Sequence, residues 1–332
     1  MAWRFRTGRA SQTTSTNPGT VMLSSMAVGD TGAHSPAPRK GLTALYLAAV
    51  IVFWGGNWLL MKFVLPQIAP LTFVSIRVSG AAAVTGMLLL ITGKPLLPPP
   101  GERGGLAGIG LLQIAAMLGL SIVGLAHVNA GRAIVLAYTM QLWAVPLGWW
   151  LVGERFGLYR VTGSIIGFSG LILYSNPSLV DWHDRAALAG NALILAGAIS
   201  WALGACLYRR RTWRSDFWTQ TWWQLVVSSV PLILAAVVSS DRPIVWSSML
   251  FAILLFNWFI ATALAYWCWA KVLRAMSASA AGQYLMLTPI FGYLLSAATF
   301  GDPLTPDVVA SIVLIIIGLG FTFQSDRSRA RS

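Results

Sequence analysis

The side chains able to do chemistry in this chain are few, and they stand singly in apolar surroundings. Arg77 interrupts an apolar run about six residues from its start, or about 9 Å deep at the helical rise. An ionised group at that depth must face protein or water rather than lipid. Its forked donors could anchor a carboxylate or a phosphate, or else serve helix-end carbonyls. Asn57 lies between Trp54 and Trp58, and helical spacing puts residues 54, 57, 58 and 61 on one side. An amide in an aromatic wall suits a small pocket. The alternative is that Gly55, Gly56 and Asn57 serve close contact between helices.

Tyr138 and Gln141 are spaced to share a helix face, and so are Tyr284 and Thr288, which lead into Pro289. With Trp201, Asn257 and Tyr266 they complete a candidate substrate-binding set of Trp54, Asn57, Trp58, Arg77, Tyr138, Gln141, Tyr284 and Thr288. Pro289 cannot donate to the carbonyl of residue 285, which makes it a candidate hinge, and Pro146 is a second. Lys62 reads as a side chain that reaches the outer face.

Catalysis finds no such support. An intramembrane enzyme needs a nucleophile with a base, or metal ligands, within reach of one another. The three histidines are scattered at His34, His127 and His183, and Asp181-Trp182-His183-Asp184 reads as a solvated loop. Cys206 and Cys268 lie in apolar stretches without metal spacing. No cofactor or metal is expected. The ten Asp and Glu fall in loops or at helix ends, so a mid-membrane carboxylate relay is absent and facilitated export or exchange fits better than proton antiport. A channel of the same topology is a further reading, without a ring of charges to support it.

These residues need elements to hold them, and composition says in what solvent. Of 332 residues 56% are hydrophobic and only 10% charged, with a mean hydropathy of +0.69. A water-facing surface cannot be built from so few charges. Apolar runs of membrane-crossing length fall at roughly 43–65, 71–92, 105–125, 131–151, 158–175, 187–208, 217–238, 247–270, 277–299 and 306–323. Placing both ends of the chain in the cytoplasm leaves only Lys62, Arg132, Arg185 and Arg242 among the loop-borne basic residues at the outer face. The expected location is therefore the cytoplasmic membrane. The net charge of +13 then meets anionic lipid rather than nucleic acid. Residues 1–40 are polar and rich in small residues, hence a disordered cytoplasmic tail, and 324–332 form a basic one.

Shifting the sequence by 147 or 148 residues makes the halves echo: Trp54 meets Trp201, Lys62 meets Arg209, and Gly153-Glu154 meets Gly301-Asp302. With five helices per half, the halves enter the membrane in opposite senses, a recurring basis for alternating access. The segment Phe53-Trp54-Gly55-Gly56-Asn57-Trp58, with Lys62, Pro70 and Arg77, resembles the opening of EamA-type proteins of the drug/metabolite transporter superfamily. Residues 137–157 and 283–302 resemble that family's fourth and ninth helices, although Gln141 stands where a proline is usual and Asp302 where Glu is usual. The resemblance implies an all-α polytopic membrane protein of ten helices in a five-plus-five inverted repeat, over 41–176 and 187–323. It also implies export, sometimes import, of amino acids or similar small metabolites. The expected partners are a small-molecule substrate and membrane lipid, in a monomer or weak dimer.

Overall fold

In the computed structural model, residues 40–153, 158–174, 184–239, 242–275, 284–285 and 287–329 are described. The expectations placed on residues 1–39, Glu154 and the 181–183 loop fall outside them. Apolar runs in a solvent that cannot serve backbone groups must satisfy their own N–H and C=O, so helices follow. The described residues contain helices and no strand. In chain order the helices are α1 (Lys40–Val64), α2 (Pro70–Ile91), α3 (Pro100–His127), α4 (Ala130–Leu151) and α5 (Leu158–Tyr174). They continue as α6 (Arg185–Arg209), α7 (Phe217–Ser239), α8 (Ser248–Val272), α9 (Leu287–Phe300) and α10 (Pro306–Arg329).

Seven of these, all but α5, α9 and α10, are long and apolar enough to cross a membrane. The other three carry shorter apolar stretches at the places where the fifth, ninth and tenth runs were expected. The tenth helix continues to Arg329, past the expected boundary at 323, so part of the basic tail is helical.

Local sequence explains the ends. Pro70 and Pro100 open α2 and α3, where a missing N–H costs nothing. Ser247 caps α8 by accepting from the Leu250 amide at 3.0 Å, and Asp184 caps α6 through the Ala187 amide at 2.9 Å. Gly153 and Gly301, the paired glycines of the sequence echo, follow α4 and α9 with φ of 69° and 72°, which glycine adopts without penalty.

Three long helices are not uniform. Wider π-type turns run over Leu111–Ala116 in α3, Gly148–Val152 at the end of α4 and Phe256–Leu264 in α8. Such insertions recur at functional sites.

α1 packs on α8 and α9, α2 on α7, α3 on α6, α4 on α6 and α9, and α5 on α10. Small residues allow the closest crossings. A Cβ on Gly55 would stand 2.9 Å from the Thr288 carbonyl oxygen, and one on Gly292 would stand 2.9 Å from the Gly55 oxygen. Gly167 of α5 likewise meets α10, where a Cβ on Gly318 would lie 2.4 Å from the Gly167 nitrogen.

The end of the bundle where α1 begins is termed near, and the opposite end far. At the near end the buried Glu102 accepts from the amides of Arg214 and Ser215 at 2.6 and 3.2 Å and from the Ser215 hydroxyl. Lys94 pairs with Asp216 at 2.8 Å beside it. At the far end Lys62 donates to the Leu125 and Val128 carbonyls, both at 2.7 Å. Arg242 does the same for Leu65 and Ile68, at 2.6 and 3.0 Å. Cations thus satisfy carbonyls that helix ends leave bare.

Candidate functional site

Arg77 sits two turns inside α2, as the sequence spacing requires. Its Nη1 donates to the Met61 sulfur of α1 at 3.0 Å, a weak acceptor for an ionised group. Among the described residues no carboxylate pairs with it. Five N–H donors therefore meet little from the protein. Arg77 as a residue is partly buried.

Tyr266 of α8 lies within electrostatic reach of Arg77, and Tyr138 of α4 lies within reach of both Tyr266 and Thr288. An aromatic wall surrounds Tyr266. Trp54 meets it edge-on at 5.7 Å between ring centres, Phe217 of α7 stands at 6.2 Å, and Trp269 lies 6.1 Å from Trp54. The Trp54 indole donates to the Ala261 carbonyl at 3.1 Å, inside the π-type stretch of α8. That stretch also holds Asn257, whose side-chain nitrogen donates to the Ile253 carbonyl while its backbone carbonyl accepts from the Thr262 hydroxyl five residues on.

Three side-chain acceptors expected at the site, the Asn57, Gln141 and Asn257 amide oxygens, are buried without a protein donor, whereas the buried Thr288 hydroxyl has the Tyr138 hydroxyl beside it. Buried polar atoms are normally paired, so each has capacity for a donor from a bound solute. Thr288 and Asn257 are fully buried, and Thr288 sits next to the buried Pro289 where α9 crosses Gly55.

The remaining sequence candidates go elsewhere. Trp58 is in the packed core, and Trp201 is partly buried against that same core. Tyr284 is 49% exposed and is not brought to the others. Pro146 is exposed; the α-helical ladder of α4 is interrupted at Thr139, between Tyr138 and Gln141, and turns π-type from Gly148, two residues past Pro146. Trp143 packs edge-on against Phe168 of α5 at 4.8 Å.

Three residues were missed. Met61 shares the 54–57–58–61 face, and Trp269 lies three positions beyond Tyr266, so spacing could have found both. Nothing local marks Phe217, which tertiary contact alone delivers.

Arg77, without a carboxylate partner among the described residues, thus stands with scattered amides and aromatic rings among helices of membrane-crossing length. The EamA-like transporter family matches residues 41–176 and, separately, residues 188–324. The chain belongs to the EamA-like transporter family. It is thus a multi-span membrane protein of a transporter family, located in a membrane. EamA-like relatives cover nearly their whole length in the match. Uncharacterized transporter YoaV of Bacillus subtilis is 25% identical over 284 residues, spanning 84% of this chain and 97% of its own. Uncharacterized transporter YvbV of the same organism is 28% identical, spanning 84% and 91%. A Salmonella typhimurium protein named a probable amino-acid metabolite efflux pump is 24% identical over 290 residues, spanning 85% and 93%. A solved crystal structure shares the fold with a TM-score of 0.59 at 18% identity, covering 89% of this chain and 100% of its own.

Proposed function

We propose that this EamA-like protein is a secondary transporter that exports small carboxylate-bearing metabolites, amino acids among them, across the cytoplasmic membrane by alternating access. The observation that carries this reading is Arg77, two turns inside α2 with a thioether for its hydrogen-bond partner and, among the described residues, no carboxylate paired with it. A solute carboxylate can take both arms of the guanidinium. Its ammonium or other donors then have the bare oxygens of Asn57, Asn257 and Gln141 as acceptors, and its apolar part has the Trp54–Tyr266–Trp269 wall. The substrate named for the Salmonella relative supports the same class.

Alternating access needs two halves that can rock. The contact pattern supports a five-plus-five arrangement, because renumbering α1–α5 as α6–α10 maps the partner list onto itself. The pair α1–α8 becomes α6–α3, α1–α9 becomes α6–α4, and α2–α7, α4–α9 and α5–α10 return to themselves. The π-type stretches of α3 and α8 occupy matching places, and the family matches the chain twice. Both ends of the chain are assigned to the cytoplasm, which makes the near end the inner one.

Counterflow in proteoliposomes tests the reading. A labelled amino acid should accumulate against unlabelled solute inside and saturate, and Arg77→Gln should abolish accumulation of carboxylate solutes. Normal counterflow by that variant, correctly inserted, would overturn the assignment.

A further inference from the structure

At the far end the first turn of α4 is capped from outside its own chain segment. The Gly131 amide is shared between the Ser296 hydroxyl oxygen at 2.9 Å and the Asp302 carboxylate at 3.1 Å, while the Ser296 hydroxyl donates to that same carboxylate oxygen. Ser296 belongs to α9, and Asp302 follows Gly301, whose left-handed φ of 72° turns the chain at the end of α9. The Tyr293 hydroxyl braces this turn by donating to the Pro303 carbonyl at 2.9 Å. Position 131 has no room for a side chain, because a Cβ would stand 2.8 Å from both the carboxylate oxygen and the Tyr293 ring. Asp302 is 8% exposed and Ser296 is fully buried, so the contact is a closed joint between α4 and the end of α9.

The residue in the cap position of α4 is Asn129, among the best N-caps, with the extended backbone (φ −69°, ψ 148°) that caps use. Its side chain makes no capping bond. Gly131 is the second residue of the helix, one of the two donors an N-cap side chain normally takes. Two acceptors therefore compete for one N–H, and the distant one holds it.

We infer that α4 has an exchangeable cap: Asp302 and Ser296 take the Gly131 amide while the far end is shut, and Asn129 takes it when α9 swings away. The exchange removes the penalty that usually locks such a joint. A helix amide stripped of its acceptor in an apolar setting costs free energy in the open state, and a waiting acceptor two residues away restores the bond. A carboxylate is also the stronger partner at the positive end of a helix, so the shut state is favoured when both compete. This inference rests on the alternating-access reading for its purpose, but the joint is measurable without transport.

The test is hydrogen exchange of the Gly131 amide in the full-length protein in lipid nanodiscs, for wild type, Asn129→Ala, the pair Ser296→Ala/Asp302→Ala that removes both distant acceptors, and the triple variant. Wild type and Asn129→Ala should be equally protected. The pair should stay within about threefold of wild type, and the triple variant should exchange at least about fivefold faster than the pair, the size of a lost N-cap. Ser296→Ala/Asp302→Leu, which offers no acceptor and nearly keeps the side chain's size at 302, repeats the comparison where the alanine pair inserts poorly. Asn129→Ala having the same effect in the wild-type and the doubly substituted backgrounds would overturn the exchange. A second readout is a cysteine at the buried Ala133, one turn inside the joint. Relative to wild type, impermeant maleimide should label it several-fold faster from the far face when Asp302 is replaced, and unchanged labelling counts against the joint. Because neither readout needs a solute, failure of the transporter reading shows separately, as absent counterflow in a protein whose joint behaves as described.

Discussion

At the scale of single residues, the candidate site separates charge from shape. Arg77→Lys keeps a positive charge but loses the planar fork, so a carboxylate solute loses one of two parallel bonds. The expected result is a half-saturation concentration raised about tenfold in counterflow, with maximal accumulation retained, in contrast to the complete loss expected for Arg77→Gln. Trp54→Phe tests the wall differently. It keeps a ring against Tyr266 but strands the Ala261 carbonyl that the indole serves at 3.1 Å. A cost of about 1 kcal/mol follows from the unmade bond, read as a fall of a few degrees in thermal midpoint. The sequence made Trp54, Arg77, Tyr138 and Tyr266 legible because helical spacing and depth depend on local position alone. It could not show that Tyr284 stays exposed while Phe217, on a different helix, closes the wall. Those outcomes depend on how helices far apart in the chain are turned toward each other.

At the scale of elements, close approach rather than hydrophobic pattern sets the arrangement. Every apolar face is equally comfortable in lipid, so helices meet where their surfaces fit. The notch at Gly80 of α2 shows this. The Trp258 indole of α8 fills it so fully that a Cβ would stand 2.1 Å from two ring atoms, while the indole donates to the Ile76 carbonyl at 3.2 Å. Gly80→Ala should expel the ring and break that bond, at a cost of about 1–3 kcal/mol, measured as lowered thermal stability in detergent. Glu102 gives a second prediction at this scale. It is among the charged groups buried at the near end and accepts three donors from residues 214 and 215. Glu102→Ala should free the segment between α6 and α7, which carries Arg210, Arg211 and Arg214. Trypsin added at the near face should then cut there several-fold faster. Sequence placed Glu102 at a helix end but held no sign of its partners, which lie more than a hundred residues away. The interruption of α4 at Thr139 was equally hidden, since its cause is not the proline that pattern reading selects.

At the scale of the whole molecule, the order of apolar runs was readable because the solvent enforces it. Ten runs were expected, and seven helices meet the full length and hydropathy of a span, with three shorter apolar ones at the remaining places. The weak sequence echo at an offset of 147 or 148 residues is matched by a symmetric partner list that single-residue comparison could not reveal. What stayed illegible is which helices touch, since that requires knowing two faces at once.

One consequence follows from Lys62. The chain has few lysines, at positions 40, 62, 94 and 271. The Lys62 amine donates to two carbonyls at 2.7 Å, which pin it against the end of α3, so it turns toward an electrophile only when those bonds break. In covalent footprinting with an acylating reagent, Lys62 should be the last of the four to gain mass. Any condition that brings its acylation forward would then report the parting of α1 from the end of α3, with no engineered label in the protein.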